Sequence, residues 1–588
     1  MPLALALFAI SAAGLVATDH SFHERTRQHD GGIGNLLSEA LTGLYNLKNG
    51  SYKSGHHRKQ LILLRMTEET SLLKTHPAGE PGKAGLGLES GTQSLDTFAG
   101  KVQIRWVPDG AVSTLGLLPF FTEFLKTSGL FDAFVADCPL EYASSNAPRK
   151  RDVLGTILLS VLAGHNRYAH ISAIRNDGVN PELLGMTKVV SEDSARRALK
   201  GLDEKLAGEW LKKHLKASYE PLLDEPWALD IDSTVKLLYG HQEDAKVGYN
   251  PTKPGRPSHA FHSYFIANLR LVVDVEVQAG NQTASSFAQP ELWKMLDDLK
   301  ESGRVPSFLR GDCAWGTDRA MQGAEERNIA YLFKLKQTAN VKKLIARLFG
   351  KDDWVDAGQN WEGLDTELQL SGWKRKRRVV LLRRPLRDIA EPEKPARQGK
   401  AARQMKLDLP EAEHCGVRYE YSVLITSLGG DVRAIAQHYR DRGDAENNFD
   451  ELKNQWGWAG FTTQDGKRCQ IMARMTALIY NWWTIFMRLG LPEQHAEAIT
   501  SRPLAMYGIA RRTKHANQIT VDVTSMHAKA SLIGTVLSNV SSFLKRISSG
   551  AEQWTHAGRW TIILSAAFRH FLHGKLLRST PRFGGAAA

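Results

Sequence analysis

The chain has 588 residues, an apolar share of 42% and a formal net charge of +13 with a pI near 9.4. That length and apolar content exclude wholesale disorder and allow several packed cores, while the positive balance points to a polyanionic partner, nucleic acid or an anionic membrane surface. Cys138, Cys313, Cys415 and Cys469 have no Cys-x-x-Cys spacing, so neither a disulfide framework nor a zinc ribbon is expected and the compartment reads as reducing.

From the N-terminus, the apolar run Leu3 to Ala17 is too short to span a bilayer and lacks the positive flank of a secretory signal. The chain therefore reads as untargeted and cytoplasmic. Residues 1–65 differ in composition from the rest of the chain and read as an atypical extension, with Met66 a candidate start. Gly82 and Lys83 lack the Ser or Thr of a P-loop, so no nucleotide cofactor is expected.

Residues 66–225 are expected to be a helical, DNA-binding region, with helical apolar spacing in Val153 to Leu162 and Leu199 to Leu215. Ser191, followed by Glu192 and Asp193, predicts a helix start, because a hydroxyl caps free amides and acids suit the positive helix end. Arg196, Arg197 and Lys200 on that helix fit either a DNA-reading helix or a solvated face.

At Trp227 the pattern changes to period two. Leu229, Ile231, Val235 and Leu237 alternate, Phe261 to Ala267 follows, then Leu271, Val273, Val275 and Val277. A helix around Glu291 to Leu299, a strand Val305 to Leu309, a helix Ala320 to Arg327 and a strand Ile329 to Leu335 complete the order β-β-β-α-β-α-β. That order predicts a multidomain α+β chain built on a ribonuclease-H-like mixed sheet with helices on its faces. Its first part spans 226–345, a β-rich insertion spans 346–430, and a second part of the core spans 431–490, with Thr476 to Met487 buried. A basic helical region, 491–588, ends the chain. From Asn454 onward there are 16 Lys or Arg against 5 Asp or Glu, so this part carries most of the net positive charge.

The chemistry rests on acids in unfavourable places. Asp230 and Asp232 are two apart on one strand and project from one face, where buried carboxylates need a cation or donors. Asp312 follows a short apolar strand, at the end where α/β domains bind ligands. Between His438 and Asn454 a single helix is expected. On it Tyr439, Arg442, Glu446 and Lys453 fall within roughly a 60° sector at about 100° per residue. A phenol, a guanidinium, a carboxylate and an ammonium on one face suit a phosphodiester: Glu446 as metal ligand, Arg442 and Lys453 as phosphate clamps, Tyr439 as donor.

The segment Tyr439 to Lys453, YRDRGDAENNFDELK, resembles the Y-R-E-K signature of bacterial insertion-sequence DDE transposases, with Tyr, Arg, Glu and Lys separated by two, three and six residues. Leu229 to Gly248, LDIDSTVKLLYGHQEDAKVG, and the later RGDCAWG resemble the first- and second-aspartate regions of the 1380 group of insertion sequences. The resemblance implies that Asp232, Asp312 and Glu446 form a catalytic, metal-binding triad. Asp232 is preferred to Asp230 because Ser233 and Thr234 follow it as in the family. Two divalent ions would serve in-line displacement, Mg2+ by ligand type, with Mn2+ able to substitute. The implied partners are double-stranded DNA, as terminal inverted repeats and target, and a second copy of the chain on DNA; neither a membrane nor a nucleotide is implied.

In relatives with this signature a base is stacked on an aromatic residue of the insertion; Trp354, Trp361 and Trp373 are the candidates, with packing the alternative for each. Lys374 to Arg378 is a basic run suited to phosphates or to solvent. Pro254, Gly255, Arg256 and Pro257 read as a turn, with a minor-groove-inserting core the alternative, and His241, His259 and His262 have no metal spacing. Competing functions are a nuclease on the same core without strand transfer, a catalytically silent DNA-binding descendant, and a membrane-surface protein using the basic tail.

Overall fold

The computed structural model describes residues 93–105, 110–250, 253–282, 287–386, 413–414, 417–516, 518–550, 554–578 and 580. The readings made on residues 1–65, Met66, Gly82 and Lys83, and Cys415 lie outside these. The chain divides into two compact units, Met1–Pro108 and Asp109–Ala588. In the first, Gln93–Thr97 pairs antiparallel with Gly100–Ile104, turning at Gly100, whose φ of 94° a side chain would oppose.

The second unit opens with helices, as its apolar spacing predicts. Leu118–Ser128 (α1) takes a proline in its first turn, and Lys150–Leu162 (α2) is buried from Asp152 onward, consistent with apolar residues around its whole circumference. Glu192–Gly201 (α3) starts where expected, the Ser191 hydroxyl accepting from the Ser194 amide at 3.2 Å. The run from Leu199 to Leu215 is interrupted, because Asp203 caps a new helix, Glu204–Tyr219 (α4), through the Leu206 amide at 2.9 Å.

The central sheet is built on Ala228–Leu237 (β1), Pro257–Ile266 (β2), Leu271–Ala279 (β3), Phe308–Gly311 (β4) and Ala330–Lys334 (β5). Their spatial order is β3-β2-β1-β4-β5, antiparallel among the first three and parallel from β1 to β5. This is the ribonuclease-H-like arrangement that the element order predicts. The parallel strands bury Leu229, Ile231, Leu309, Leu332 and Phe333 almost completely, as strands covered on both faces must. Helices Gln289–Glu301 (α5) and Asp318–Glu326 (α6) connect β3 to β4 and β4 to β5.

The strands of the β-rich segment enlarge this same sheet. Trp361–Leu368 (β6), Arg377–Pro385 (β7) and Val417–Thr426 (β8) pair in sequence, and β8 pairs antiparallel with β5 through Leu424↔Lys334 and Thr426↔Leu332. Val355–Gly358 forms the outer strand beyond β6. Val432–Arg440 (α7) and Gly443–Asn454 (α8) then return to the core.

The expected buried run lies in a 25-residue helix, Gly466–Gly490 (α9), which lies along β3. Asn481, fully buried, accepts from the Val272 amide at 2.9 Å and donates to the Val272 carbonyl at 2.8 Å. Gln470 does the same for the Val277 amide (2.7 Å) and the Val275 carbonyl (2.8 Å). Replacing Asn481 by Leu strands two buried backbone groups, so Asn481→Leu is expected to lower stability by about 2–4 kcal/mol in urea denaturation. An unchanged unfolding midpoint would contradict the role given to this amide.

The flanking regions are less purely helical than expected. Val112–Ser113 pairs with Ala510–His515, which forms a hairpin with Gln518–Val523, so the start and end of this unit share a small sheet. Ile519, Val521 and Val523 alternate with more exposed residues, a period-two signal too short to outweigh the surrounding helical composition. Ala530–Ser549 (α10) and His556–Ala567 (α11) follow as helices. Among the described residues no helix is long and apolar enough to cross a membrane.

Candidate active site

Strand alternation puts Asp230 and Asp232 on one face of β1, and their surroundings then separate them. Asp230 is 1% exposed and is held by both prongs of Arg310, Nε to Oδ1 at 2.5 Å and Nη2 to Oδ2 at 2.7 Å. Asp232 is half-buried further along the strand. Its Oδ1 accepts from the Ser233 amide at 2.7 Å and its Oδ2 accepts from Arg442. Asp312 stands one residue beyond β4 and is half-buried, its Oδ1 accepting from the Ala314 amide at 2.9 Å in a turn that fixes the carboxylate at the strand end. Trp315 packs closely on Gly311, where a Cβ would meet the Trp315 side chain at 3.0 Å and force it to shift.

The third acid comes from a helix that differs from the expected one. In place of a single helix from His438 to Asn454, α7 stops at Arg440 and α8 starts at Gly443. Asp441 and Arg442 keep right-handed backbone angles, but the Arg442 amide bonds the Tyr439 carbonyl, three residues back, at 3.1 Å. The turn is thereby tightened, and glycine at 443 is the weakest helix former at the joint. Tyr439, Arg442 and Glu446 nevertheless remain together. Arg442, 8% exposed, donates to Glu446 at 2.7 Å and to Asp232, so one guanidinium joins β1 to α8. Lys453 lies seven residues beyond Glu446, about 10 Å up the helix, and is not part of this contact set.

The electrostatics bring all three acids into one neighbourhood. Burial, with contributions from Asp312 and Glu446 and against the pull of Arg442, pushes the Asp232 carboxyl up to about 7. Burial likewise raises the Tyr439 phenol well above its ordinary value, with Asp312 and Asp232 adding to the rise, so it stays a proton donor at neutral pH. Among the described residues no three His, Cys, Asp or Glu side chains stand ready to close on one ion, since Arg442 bridges two of the acids and the Glu446 side chain is 66% exposed. By donor chemistry the set does fit a hard divalent cation: it is all oxygen, it carries excess negative charge, and one member is costly to ionise without a nearby cation.

Other candidate residues fall elsewhere. Arg383 lies 4.0 Å over the Trp354 ring, Trp373 is 9% exposed beneath Arg377, and Trp361 is half-buried beneath Arg384, so each indole is engaged within the sheet extension. The basic run is largely neutralised internally: Arg375 and Arg377 bind Glu325, Arg377 also binds Asp318, and Arg378 binds Asp365. Arg196 is paired with Glu192 and Asp193 on its own helix. His259 and His262 are buried, as structural residues would be. Sequence reasoning passed over Arg310, although a signal existed: Arg310 precedes Asp312 by two residues as Asp230 precedes Asp232, giving two neighbouring strands a charge-x-acid pattern.

A 3-2-1-4-5 sheet with one acid midway along β1, a second just past the end of β4 and a third on a helix beside them defines a ribonuclease-H-like domain with an acidic centre. Residues 224–482, a little under half of the chain, match the model of the Transposase DDE domain family. A solved structure, described as a piggyBac transposase synaptic complex with hairpin DNA, is 11% identical with a TM-score of 0.32, covering 80% of this chain and 86% of that one. No curated protein matches the sequence.

Proposed function

We propose that the protein is the DNA transposase of a bacterial insertion sequence, cutting at terminal inverted repeats and transferring the freed ends, with Asp232, Asp312 and Glu446 as its catalytic acids. The observation that carries this reading is the Arg442 guanidinium that bridges Asp232 of β1 to Glu446 of α8, with Asp312 close enough to act on the Asp232 carboxyl, within the stretch that matches the transposase DDE domain. The same three residues would hold divalent ions, Mg2+ by ligand hardness with Mn2+ as substitute. Such ions supply Lewis-acid stabilisation of the attacking and leaving oxygens in an in-line displacement.

The chain's own residues position the phosphodiester. Arg442, once freed from Glu446, presents a planar fork to a phosphate oxygen, and Tyr439 offers a phenolic proton beside it. Lys453 would contact the backbone further along the duplex, and a second copy of the chain would bring the paired ends together. The regions 66–225 and 491–588 would extend the contact with DNA. The test is Mg2+-dependent cutting of a duplex carrying the element's own terminal repeats, scored for joined products on a plasmid target. Cutting without joined products would make the protein a nuclease on this core, and binding without cutting a silent descendant.

A particular DNA contact is proposed just past the far end of β1. Tyr239 is 64% exposed, with Lys253 5.3 Å and Arg256 4.8 Å from its ring centre, and Tyr249 nearby in the chain is 82% exposed. Aromatic faces interleaved with cations suit phosphate and sugar contacts. The double substitution Lys253→Ala, Arg256→Ala is expected to flatten the salt dependence of duplex binding by about two in log–log slope. An unchanged slope in fluorescence anisotropy titrations would remove this surface from the interface.

A further inference from the structure

We infer that the buried pair Asp230–Arg310 is the positioning device of the acidic centre, an inference that rests on the catalytic roles proposed for Asp232, Asp312 and Glu446. Asp230 and Arg310 are register partners on the parallel strands β1 and β4, so their side chains leave the sheet on the same face. Two residues further along, these strands deliver Asp232 and Asp312. Arg310 makes a third bond, from Nη1 to the carbonyl of His438 in the last turn of α7. That carbonyl lies just before the tightened turn that carries Arg442 and leads to Glu446. A single guanidinium, 4% exposed, therefore ties β4 and β1, which deliver Asp312 and Asp232, to the end of α7, which leads into the helix that carries Glu446.

The chemistry of the pair fits positioning better than cohesion. A buried ion pair gains little over well-packed apolar residues of similar volume, because desolvation offsets the attraction. A two-pronged guanidinium–carboxylate bond does fix distance and orientation, which an apolar contact does not. Displacement of a catalytic group by about 1 Å lowers a rate about 100-fold. Asp230, with both oxygens engaged by Arg310, positions its neighbours without touching the reacting phosphate.

The test uses the full chain and the double variant Asp230→Leu, Arg310→Met, which removes both charges together and leaves the His438 carbonyl without its Arg310 donor. The variant is expected to remain folded, its thermal unfolding midpoint lowered by no more than a few degrees. Amide hydrogen exchange across 440–446 is expected to quicken while the rest of the sheet keeps its protection, and Mn2+-supported cleavage to fall about 100-fold. Wild-type cleavage by the double variant would overturn the inference. So would lost cleavage with unchanged exchange at 440–446, which would make Asp230 a direct participant. Asp232→Asn is run alongside: if it cuts as wild type does, the proposed acids are wrong, a failure distinct from failure of the clamp.

Discussion

Glu446→Gln is expected to bind terminal-repeat DNA as tightly as wild type and to cut it at least about 1,000-fold more slowly. The substitution keeps the shape of the side chain and its ability to accept from Arg442 at 2.7 Å, but removes the charge. Because Glu446 is 66% exposed on its side chain and sits in the second turn of α8, the change leaves packing untouched, so stability should move by less than about 0.5 kcal/mol. Loss of cutting with retained binding and melting temperature therefore isolates the chemical step. Asp312→Asn should behave alike, its turn bond to the Ala314 amide being available to the amide oxygen as well. Equal cutting by wild type and Glu446→Gln would remove this residue from the proposed triad.

Glu276→Gln is expected to stabilise the protein by roughly 4 kcal/mol at pH 8.5 and to have little effect near pH 4.5. Glu276 is buried on β3, and that burial, with Asp274 and Glu291 adding to it and Arg474 and Lys212 opposing, pushes its carboxyl up from 4.5 to about 8. Across the strand pair stands His262, which burial pushes down to about 4 and so keeps uncharged at neutral pH. The folded chain holds the Glu276 proton over a range where the unfolded chain releases it. Stability from this group is therefore complete below pH 4.5 and is lost progressively as pH rises towards 8. Chemical denaturation of wild type and variant at several pH values measures the difference, and parallel pH dependences would contradict the burial argument.

The strands around the site were legible because period-two alternation survives burial on one face: Leu229 and Ile231 against Asp230 and Asp232 fixed both the strand and the side on which the acids lie. Ser191 marked its helix for an equally local reason, its hydroxyl reaching the Ser194 amide. The break between α7 and α8 was not legible, since Asp441 and Arg442 keep helical angles and the change is a shift of one hydrogen bond from the fourth to the third preceding carbonyl. Nor could the pairing of β8 with β5 be read, because it joins Leu332 to Thr426 across a long stretch of chain, and registry of that kind has no local signal. Arg442 was expected to face phosphate alone; the fold turns it towards the acids as well, because burial of Asp232 calls for a cation from whichever element lies closest.

The amides of Asn481 and Gln470 on β3 bear on how copies of this protein can meet. A bare boundary strand is a template on which a second molecule can dock its own strand, and the resulting ribbon has no natural end. Here the sites at Val272, Val275 and Val277 are already spoken for by a helix of the same chain. At the opposite margin, the Ala357 carbonyl is taken by Arg440 and the outer strand shifts register between Asp356 and Gly358. Among the described residues, fusion through the central sheet is thus hindered at both margins. On the proposed function, two copies holding two DNA ends would then pair through surfaces other than this sheet's margins, which leaves their pairing free to depend on the substrate.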